Sequence, residues 1–144
     1  MQYWDTSTLA KLYVSEPDSG QFAAYLAATG PITTSELARW ELFRVLARKE
    51  AEGLIPTGAA VALFGNFRAD VAVGKVTLVP MSAVVETRFQ QLLLRLHRLN
   101  PPLVVRTLDG VHIATADLQG ADALVVTDKN MRKCAAAIGL KLYP

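Results

Sequence analysis

The chain has 144 residues, of which 51% are hydrophobic and 19% charged, so we expect one folded domain over residues 1–144 and no long disordered segment. Its net charge of +2 is too small to indicate nucleic-acid binding by itself. The single cysteine, Cys134, excludes an intrachain disulfide and a cysteine-based zinc site, and His97 and His112 fit no zinc spacing. No signal-peptide pattern opens the sequence and no apolar run reaches membrane-spanning length, so we expect a cytoplasmic protein.

The first half of the sequence alternates short strand-like segments with helical patterns. The predicted elements, in chain order, are a strand at Gln2–Trp4, a helix that begins at Thr6-Ser7-Thr8 and continues through Tyr13, a helix at about Ser19–Ala28, a short strand at Ile32–Thr33, and helices at about Glu36–Glu52 and Gly58–Val71. Thr34 or Ser35 is the predicted cap of the long helix. The apolar residues of that helix cover most of its circumference, which predicts a largely buried helix.

The second half of the sequence continues the alternation. Its predicted elements are a strand at Val76–Pro80, a helix from Ser82 to about Leu99, a helix capped by Thr107 that runs to about Gln119, a strand at Ala123–Thr127, a helix at about Lys129–Ile138 and a strand at Leu140–Tyr143. Short apolar strands that alternate with helices are typical of a parallel sheet covered by helices on both faces. We therefore predict an α/β fold with a short central parallel sheet of four to five strands.

Two aspartates, Asp5 and Asp128, occupy the same local position, since each directly follows an apolar strand and directly precedes a helix. If the two strands are neighbours in a parallel sheet, both carboxylates lie at the edge where ligands bind in open α/β folds. Thr127 is in position to orient the Asp128 carboxylate by a hydrogen bond. Each aspartate also has a simpler interpretation, as a helix N-cap only.

Two further acids, Asp109 and Glu41, are predicted to lie within helices. Asp109 shares an otherwise apolar helix face, and a carboxylate on a packing face needs a partner or a metal. The alternative for Asp109 is an acid that only interacts favourably with the helix N-terminus. Glu41 lies on the same side of its helix as Arg44 and Arg48, which is consistent either with a cleft that meets phosphate or with a surface ion pair.

Four carboxylates at one sheet edge would repel one another unless a cation neutralised them. An oxygen-only ligand set selects hard divalent ions, which predicts Mg²⁺ or Mn²⁺. Such an ion makes a bound water more acidic and offsets charge on phosphate oxygens, so the site fits hydrolysis of a phosphodiester. The basic residues predicted to contact the polyanion are Lys11, Arg44, Arg48, Lys129 and Arg132.

Several short motifs, in this order and spacing, carry a resemblance that covers nearly the whole chain. They are Asp5-Thr6-Ser7 with Leu9 and Lys11-Leu12-Tyr13, Glu16-Pro17, Thr34-Ser35, Glu41-Leu42 with Arg44, the segment from Leu108 to Ala116, Val126-Thr127-Asp128 and Ile138-Gly139-Leu140. On these residues the sequence resembles the PIN-domain family and, within it, the VapC-type ribonuclease toxins of toxin–antitoxin systems.

This resemblance implies a metal-dependent endoribonuclease with a three-layer α/β/α fold. The implied ligands of one or two Mg²⁺ or Mn²⁺ ions are Asp5, Glu41, Asp109 and Asp128, with Ser7 and Thr127 as supporting residues. The resemblance further implies an RNA substrate, a small antitoxin that inserts a segment near the active site, and a homodimer. Gly110 stands where the family usually has a small apolar residue after the third acid, which predicts a looser start of that helix.

Two other functions remain open at this point. The first is an RNA-processing nuclease of the same fold that has no antitoxin. The second is a binding module without catalysis, in which the acids are only helix caps and surface ion pairs. His112 also has two interpretations, a cleft residue or a structural histidine, whereas Trp4 and Trp40 are predicted to be core residues and not base-stacking platforms.

Overall fold

Five short strands and seven helices alternate along the chain. The computed structural model describes Met1–Pro144, and its elements are β1 (Gln2–Trp4), α1 (Thr6–Ala10), α2 (Ser19–Thr29), β2 (Ile32–Ser35), α3 (Ala38–Ala51), α4 (Ala59–Ala72), β3 (Val76–Val79), α5 (Ala83–His97), α6 (Thr107–Leu118), β4 (Ala123–Val125), α7 (Lys129–Ala137) and β5 (Leu142–Tyr143). The α/β fold predicted from the sequence is confirmed, and the sheet has five strands.

The strands form one parallel sheet in the order β3-β2-β1-β4-β5. The first strand is therefore central: Gln2 pairs with Ile32 of β2 on one side and with Ala123 of β4 on the other. Because all the strands run in the same direction, their carboxyl ends share one edge of the sheet. Asp5 follows β1 and Asp128 follows β4, so the strand order brings both to neighbouring positions on that edge.

Helices cover both faces of the sheet, and successive β1 side chains point to opposite faces. Trp4 packs with residues of α1–α4 in one apolar cluster, whereas Tyr3 packs with residues of α5–α7 in a second. The first cluster includes Leu9, Phe22, Leu42, Leu46 and Phe67, and the second includes Leu92, Leu96, Ile113 and Met131. These two cores produce the three-layer arrangement. None of the helices has both the length and the apolarity that crossing a membrane requires.

The start of the long helix α3 differs from the sequence prediction. Thr34 and Ser35 are predicted as helix caps but lie in β2, where the Thr34 hydroxyl donates to the carbonyl oxygen of Trp4 at 2.7 Å. Strand pairing therefore takes precedence over capping at Thr34, whereas the Ser35 hydroxyl accepts a hydrogen bond from the N–H of Leu37, just before the helix, at 3.2 Å. The helix begins two residues later than predicted, at Ala38.

Three other boundaries are also corrected. Thr107 is the first residue of α6, and the N-cap position belongs to Arg106, whose side chain makes no capping hydrogen bond. The strand β4 ends at Val125, two residues earlier than predicted, because its neighbour β1 turns into α1 at the same level. Leu140 is predicted to start the last strand, but its N–H donates to the carbonyl oxygen of Ala135 and so closes the end of α7.

Only one stripe of α3 is buried, so the prediction of a helix buried nearly all round is wrong. Its buried residues recur every four positions and are Ala38, Leu42 and Leu46. Trp40 and Phe43 are instead 62% and 41% exposed, which contradicts the predicted core role of Trp40. Trp4 has no exposed surface and is a core residue, as predicted.

Candidate active site

A cleft of about 490 Å³ opens at the carboxyl edge of the sheet, next to the ends of β1 and β4. Its wall includes all four predicted acids and three arginines, namely Asp5, Glu41, Asp109, Asp128, Arg44, Arg48 and Arg106. A larger and mainly apolar cavity, of about 680 Å³, lies at the opposite edge, by the amino ends of β2 and β3. Its one carboxylate, Asp70, is already bound by Tyr13 and Lys75. The smaller cleft is therefore the better candidate for chemistry.

Asp5 is the most buried of the four acids, with 7% of its surface exposed. Its N–H donates to the carbonyl oxygen of Val125 at 3.0 Å, which extends the β1–β4 pairing to the start of α1. Its carboxylate accepts hydrogen bonds from the N–H of Ser7 at 3.2 Å and from the Ser7 hydroxyl, so Asp5 both caps α1 and lines the cleft. Burial raises the pKa of Asp5 and the Glu41 charge adds to this, while His112 and Ser7 oppose the rise. A buried carboxylate of this kind is stabilised by a nearby cation.

Glu41 reaches the cleft from α3 and is fixed by two neighbours. Its Oε2 atom accepts a hydrogen bond from the Thr6 hydroxyl at 2.6 Å and lies 2.7 Å from Nε2 of His112. Burial by itself raises the pKa of Glu41, but hydrogen bonding and charge from His112, with help from Thr6 and Arg44, outweigh burial and lower the pKa. Glu41 is therefore an ionised carboxylate in a fixed position, and both of its hydrogen bonds use the same oxygen, Oε2.

His112, on α6, connects Glu41 to the centre of the sheet. It is 1% exposed, and its Nδ1 atom lies 2.8 Å from the hydroxyl of Tyr3. Because a carboxylate only accepts hydrogen bonds, Nε2–H of His112 is the donor to Glu41. Burial lowers the pKa of His112, but the hydrogen bond to Glu41 and the charges of Asp5 and Glu41 raise it above its ordinary value. The structural interpretation of His112 is therefore correct and the cleft interpretation is not, because the buried ring lies outside the cleft wall and acts by setting the position of a cleft acid.

Asp109 and Asp128 lie on the other side of the cleft, where Arg106 joins them. Nε of Arg106 donates to Oδ2 of Asp109 at 2.7 Å, and Nη2 lies 3.5 Å from Oδ2 of Asp128. The other carboxylate oxygen of Asp128 accepts from the N–H of Met131 at 2.7 Å and caps α7. The capping interpretation of Asp128 is therefore correct, and the residue also lines the cleft.

The four acids offer oxygen donors only, which fits a hard divalent cation such as Mg²⁺ or Mn²⁺. In the arrangement described, however, no three Asp, Glu, His or Cys side chains converge closely enough to hold a metal ion together. The ion pairs explain this, because Arg106 engages Asp109 and Asp128 while His112 engages Glu41. The Arg106 side chain is 74% exposed. Its withdrawal therefore costs little, about 1 kcal/mol or less, and would free two carboxylates for a metal.

The predicted phosphate-binding residues divide into two groups. Arg44 and Arg48 are exposed and line the cleft. Lys129 is exposed at the start of α7 but does not line the cleft. Arg132 also lies outside the cleft wall, and its guanidinium donates to the carbonyl oxygen of Val126 at 2.8 Å.

Two other predicted site residues do not make the contacts expected of them. Lys11 lies outside the cleft wall and binds the carboxylates of Glu16 at 2.8 Å and Asp18 at 2.7 Å, so its charge is used to hold the turn after α1. Thr127 makes no hydrogen bond to Asp128, whose carboxylate is instead engaged by a backbone N–H and a guanidinium.

Arg106 and Thr6 are cleft residues that sequence reasoning misses. Arg106 precedes Asp109 by three residues, a spacing at which side chains on a helix can pair, so a signal for it was present. Thr6 follows Asp5 directly and resembles one of three interchangeable helix caps. Its bond to Glu41, 35 positions away in the sequence, depends on where α3 packs, and no local pattern indicates it.

Comparison with known proteins assigns the chain to a class. Residues 3–137 match the family model described as the PIN domain. The chain is 31% identical over 140 residues to a protein named Ribonuclease VapC46 from Mycobacterium tuberculosis, and the alignment covers 96% of this chain and 92% of that protein. The chain therefore belongs to the PIN-domain family, and its resemblance to the VapC-type ribonucleases is confirmed.

Solved structures show the same fold. The crystal structure of M. tuberculosis VapC20, described as a toxin that cleaves the sarcin–ricin loop, matches with a TM-score of 0.68 at 21% identity, covering 97% of this chain and 96% of that one. A toxin–antitoxin complex from Klebsiella pneumoniae matches with a TM-score of 0.64 at 17% identity, covering 100% of this chain and 97% of that one. At these identities the two structures support the fold assignment alone.

Proposed function

We propose that this chain is a metal-dependent endoribonuclease that hydrolyses RNA phosphodiester bonds, and that it is the toxin of a type II toxin–antitoxin pair. One observation carries the proposal. A single cleft of about 490 Å³ is lined by four carboxylates and three arginines at the carboxyl edge of the sheet. Carboxylates suit a hard divalent ion and guanidinium groups suit phosphate. The similarity to a protein named as a ribonuclease supports RNA as the substrate.

The acids proposed to hold Mg²⁺ or Mn²⁺ are Asp5, Glu41, Asp109 and Asp128. A bound ion of this type supplies an acidified water and offsets negative charge on the phosphate oxygens. The contribution of Asp5 is a buried carboxylate whose orientation is fixed by two hydrogen bonds from Ser7. Its burial makes the bare anion unfavourable, which favours occupation of the site by a cation.

Glu41 contributes a second fixed carboxylate. Thr6 and His112 both bind its Oε2 atom, which leaves Oε1 as the oxygen available to the cleft. Its lowered pKa keeps the group ionised, so Oε1 would be available to hold the divalent ion or to accept a hydrogen bond from a water. Thr6 and His112 are therefore positioning residues for Glu41.

The arginines are proposed to hold the RNA backbone. Arg44 and Arg48 are exposed at one rim of the cleft, and Arg106 lies at the other. When Arg106 leaves Asp109 and Asp128, its guanidinium becomes available to a phosphate that enters the cleft. Lys11 is left out of this proposal because it lies outside the cleft wall and its mostly buried amine is held by Glu16 and Asp18.

A small antitoxin is the proposed protein partner. One structural match at full coverage of this chain is a toxin–antitoxin complex, which supports such a partner. Co-expression with a short reading frame encoded next to the gene should yield a stable complex that no longer cleaves RNA. A homodimer remains a prediction from the resemblance, and light scattering on the purified chain would test it.

RNA cleavage by matched variants tests the proposed activity. The wild-type protein should cleave single-stranded RNA with Mg²⁺ or Mn²⁺ but not with EDTA, and Asp5→Asn should lower the rate by more than about 100-fold. The control is Asp122→Asn, because Asp122 is an exposed acid outside the cleft that pairs with the chain N-terminus. Undiminished cleavage by the Asp5 variant would overturn the proposal, and a complete lack of response to metal would favour a binding module.

A further inference from the structure

An exposed aromatic surface lies on α3 and α4, outside the cleft just described. It consists of Trp40, Phe43, Phe64, Arg39 and Arg68, which line a shallow depression of about 470 Å³. Trp40 is 62% exposed and belongs to neither of the two apolar clusters of the core. The rings of Phe43 and Phe64 pack edge to face, with their centroids 5.2 Å apart, and so form the apolar base of the depression. We call this group the Trp40 surface.

The charge of the Trp40 surface is entirely positive. None of its five lining residues is acidic, and neither Arg39 nor Arg68 forms an ion pair or a side-chain hydrogen bond within the protein. The acids nearest to it in sequence are already engaged, since Glu41 is bound by Thr6 and His112 and Asp70 is bound by Tyr13 and Lys75. Glu36, in the turn before α3, accepts a hydrogen bond from the N–H of Met81. Aromatic rings beside unpaired arginines suit a polyanion that also carries flat rings.

The Trp40 surface is continuous with the cleft along the helix. At 100° per residue, Arg44 lies about 60° around α3 from Glu41, and Trp40 lies about 40° further in the same direction. Arg44 and Trp40 are four residues apart, so their side chains are neighbours on one exposed face. A nucleotide next to a phosphate that Arg44 holds at the cleft is therefore within one helical turn, about 5.4 Å, of Trp40.

We propose that Trp40 is a base-stacking platform for RNA in which the nucleotides next to the cleaved bond are unpaired. Every base has a flat face that can stack on an exposed indole, whereas the bases of a duplex are already stacked on each other. The Trp40 surface thus offers an unpaired nucleotide a stacking contact that a base within a duplex cannot make. This inference rests on the proposed ribonuclease function, because it assigns a substrate-contacting residue beside that cleft.

Tryptophan fluorescence gives a direct test. The chain has two tryptophans, and Trp4 has no exposed surface, so a change in emission on RNA binding reports on Trp40. A short single-stranded oligoribonucleotide, titrated in EDTA to prevent cleavage, should quench the emission. The same strand in a perfect duplex, or with abasic nucleotides, should not.

Variants separate stacking from a general loss of structure. Trp40→Ala should weaken binding of the single strand by about tenfold or more, and Trp40→Phe should restore most of the affinity. Both variants should fold, because the side chain is largely exposed. Leu94→Ala serves as the control, since Leu94 is a 53% exposed apolar residue on α5, and it should leave RNA binding unchanged.

Two results would overturn the inference. One is equal affinity of wild type and Trp40→Ala for the single strand. If that variant also loses binding to a co-expressed antitoxin, the Trp40 surface is a protein interface. The other is equal quenching by single strand and duplex. Metal-dependent cleavage, measured in parallel, shows which of the two proposals has failed. If wild type cleaves RNA and Asp5→Asn does not, the ribonuclease proposal stands without the stacking role of Trp40. If wild type does not cleave RNA, both proposals fail.

Discussion

Nε2 of His112 lies 2.7 Å from Oε2 of Glu41, which ties the acid on α3 to the buried helix α6. The same imidazole lies 2.8 Å from the hydroxyl of Tyr3, on the central strand. The position of Glu41 in the cleft is therefore set from the core of the sheet. Alterations in this buried chain of hydrogen bonds should affect both stability and activity.

His112→Leu should lower the free energy of unfolding by about 2–3 kcal/mol, because it removes the 2.8 Å partner of the buried Tyr3 hydroxyl and a charge-assisted bond to Glu41. Urea unfolding measures this change. The matched control is Tyr3→Phe, which removes that hydroxyl. The double variant should therefore lose less stability than the sum of the single variants, and strict additivity would contradict the proposed chain.

Arg106→Ala should increase the affinity of the cleft for Mn²⁺, because Arg106 competes with the metal for Asp109 and Asp128. Since the arginine is 74% exposed, its loss should change stability by less than about 1 kcal/mol. Calorimetric titration with Mn²⁺ measures the affinity. Arg98→Ala, at an exposed arginine without an ion pair, is the control. Weaker Mn²⁺ binding by Arg106→Ala would show that the guanidinium supports the metal site and does not compete for it.

Gly110→Ala should destabilise the protein by about 1 kcal/mol, because overpacking outweighs the gain in helix propensity. An added Cβ atom would lie 2.8 Å from Cε2 of Phe89 and 3.3 Å from Cδ1 of Leu93. Phe89→Leu should make room and recover part of the loss in the double variant. Gly65→Ala is the control, since that helical glycine has open space around it and its substitution should stabilise by about 0.5–1 kcal/mol. Equal stabilisation by both alanines would contradict the close approach of α5 and α6.

Glu16→Gln should lower stability at neutral pH by about 1–2 kcal/mol, because Glu16 joins the partly buried amines of Lys11 and Lys49, each at 2.8 Å. Burial by itself raises the pKa of Glu16, but the two lysines outweigh it and hold the pKa below its ordinary value of 4.5. A carboxylate with a lowered folded-state pKa stabilises the fold above its unfolded-state pKa and loses this effect as pH falls through the folded-state pKa.

Unfolding curves measured from pH 7 down to about pH 3 follow this loss. The stability difference between wild type and Glu16→Gln should be full at neutral pH and should shrink as the pH falls below 4.5, the ordinary value for this group. A difference that stays constant with pH would mean that the glutamate contributes packing and not charge.

The arrangement of Asp5 and Asp128 could be predicted because each depends on a local pattern, an apolar strand followed by an acid and a helix. The parallel sheet could be predicted from the alternation of elements. Only one further condition was needed, that β1 and β4 are neighbours, and the strand order fulfils it. The lengths of the strands were less predictable, because β4 ends where its neighbour ends and not where its own apolar run ends.

Residues whose roles depend on packing could not be predicted in the same way. The apolar residues of α3 cover most of its circumference, so periodicity did not show that Trp40 faces solvent and Leu42 the core. Gly110 gave no sign that Phe89 of another helix approaches it closely. Arg106 differs, since its spacing from Asp109 is a local signal. The acids were thus visible in the sequence, but the cations that pair with them were not assigned.

We propose that the acids of the cleft bind a divalent metal once the competing cations move away. Anomalous diffraction from a crystal grown with Mn²⁺ tests it most directly. We expect a peak in the cleft between Asp5 and Asp109, with Arg106 turned away from its two acids. A structure without such a peak, or with Mn²⁺ bound elsewhere while Arg106 still pairs with Asp109 and Asp128, would contradict it.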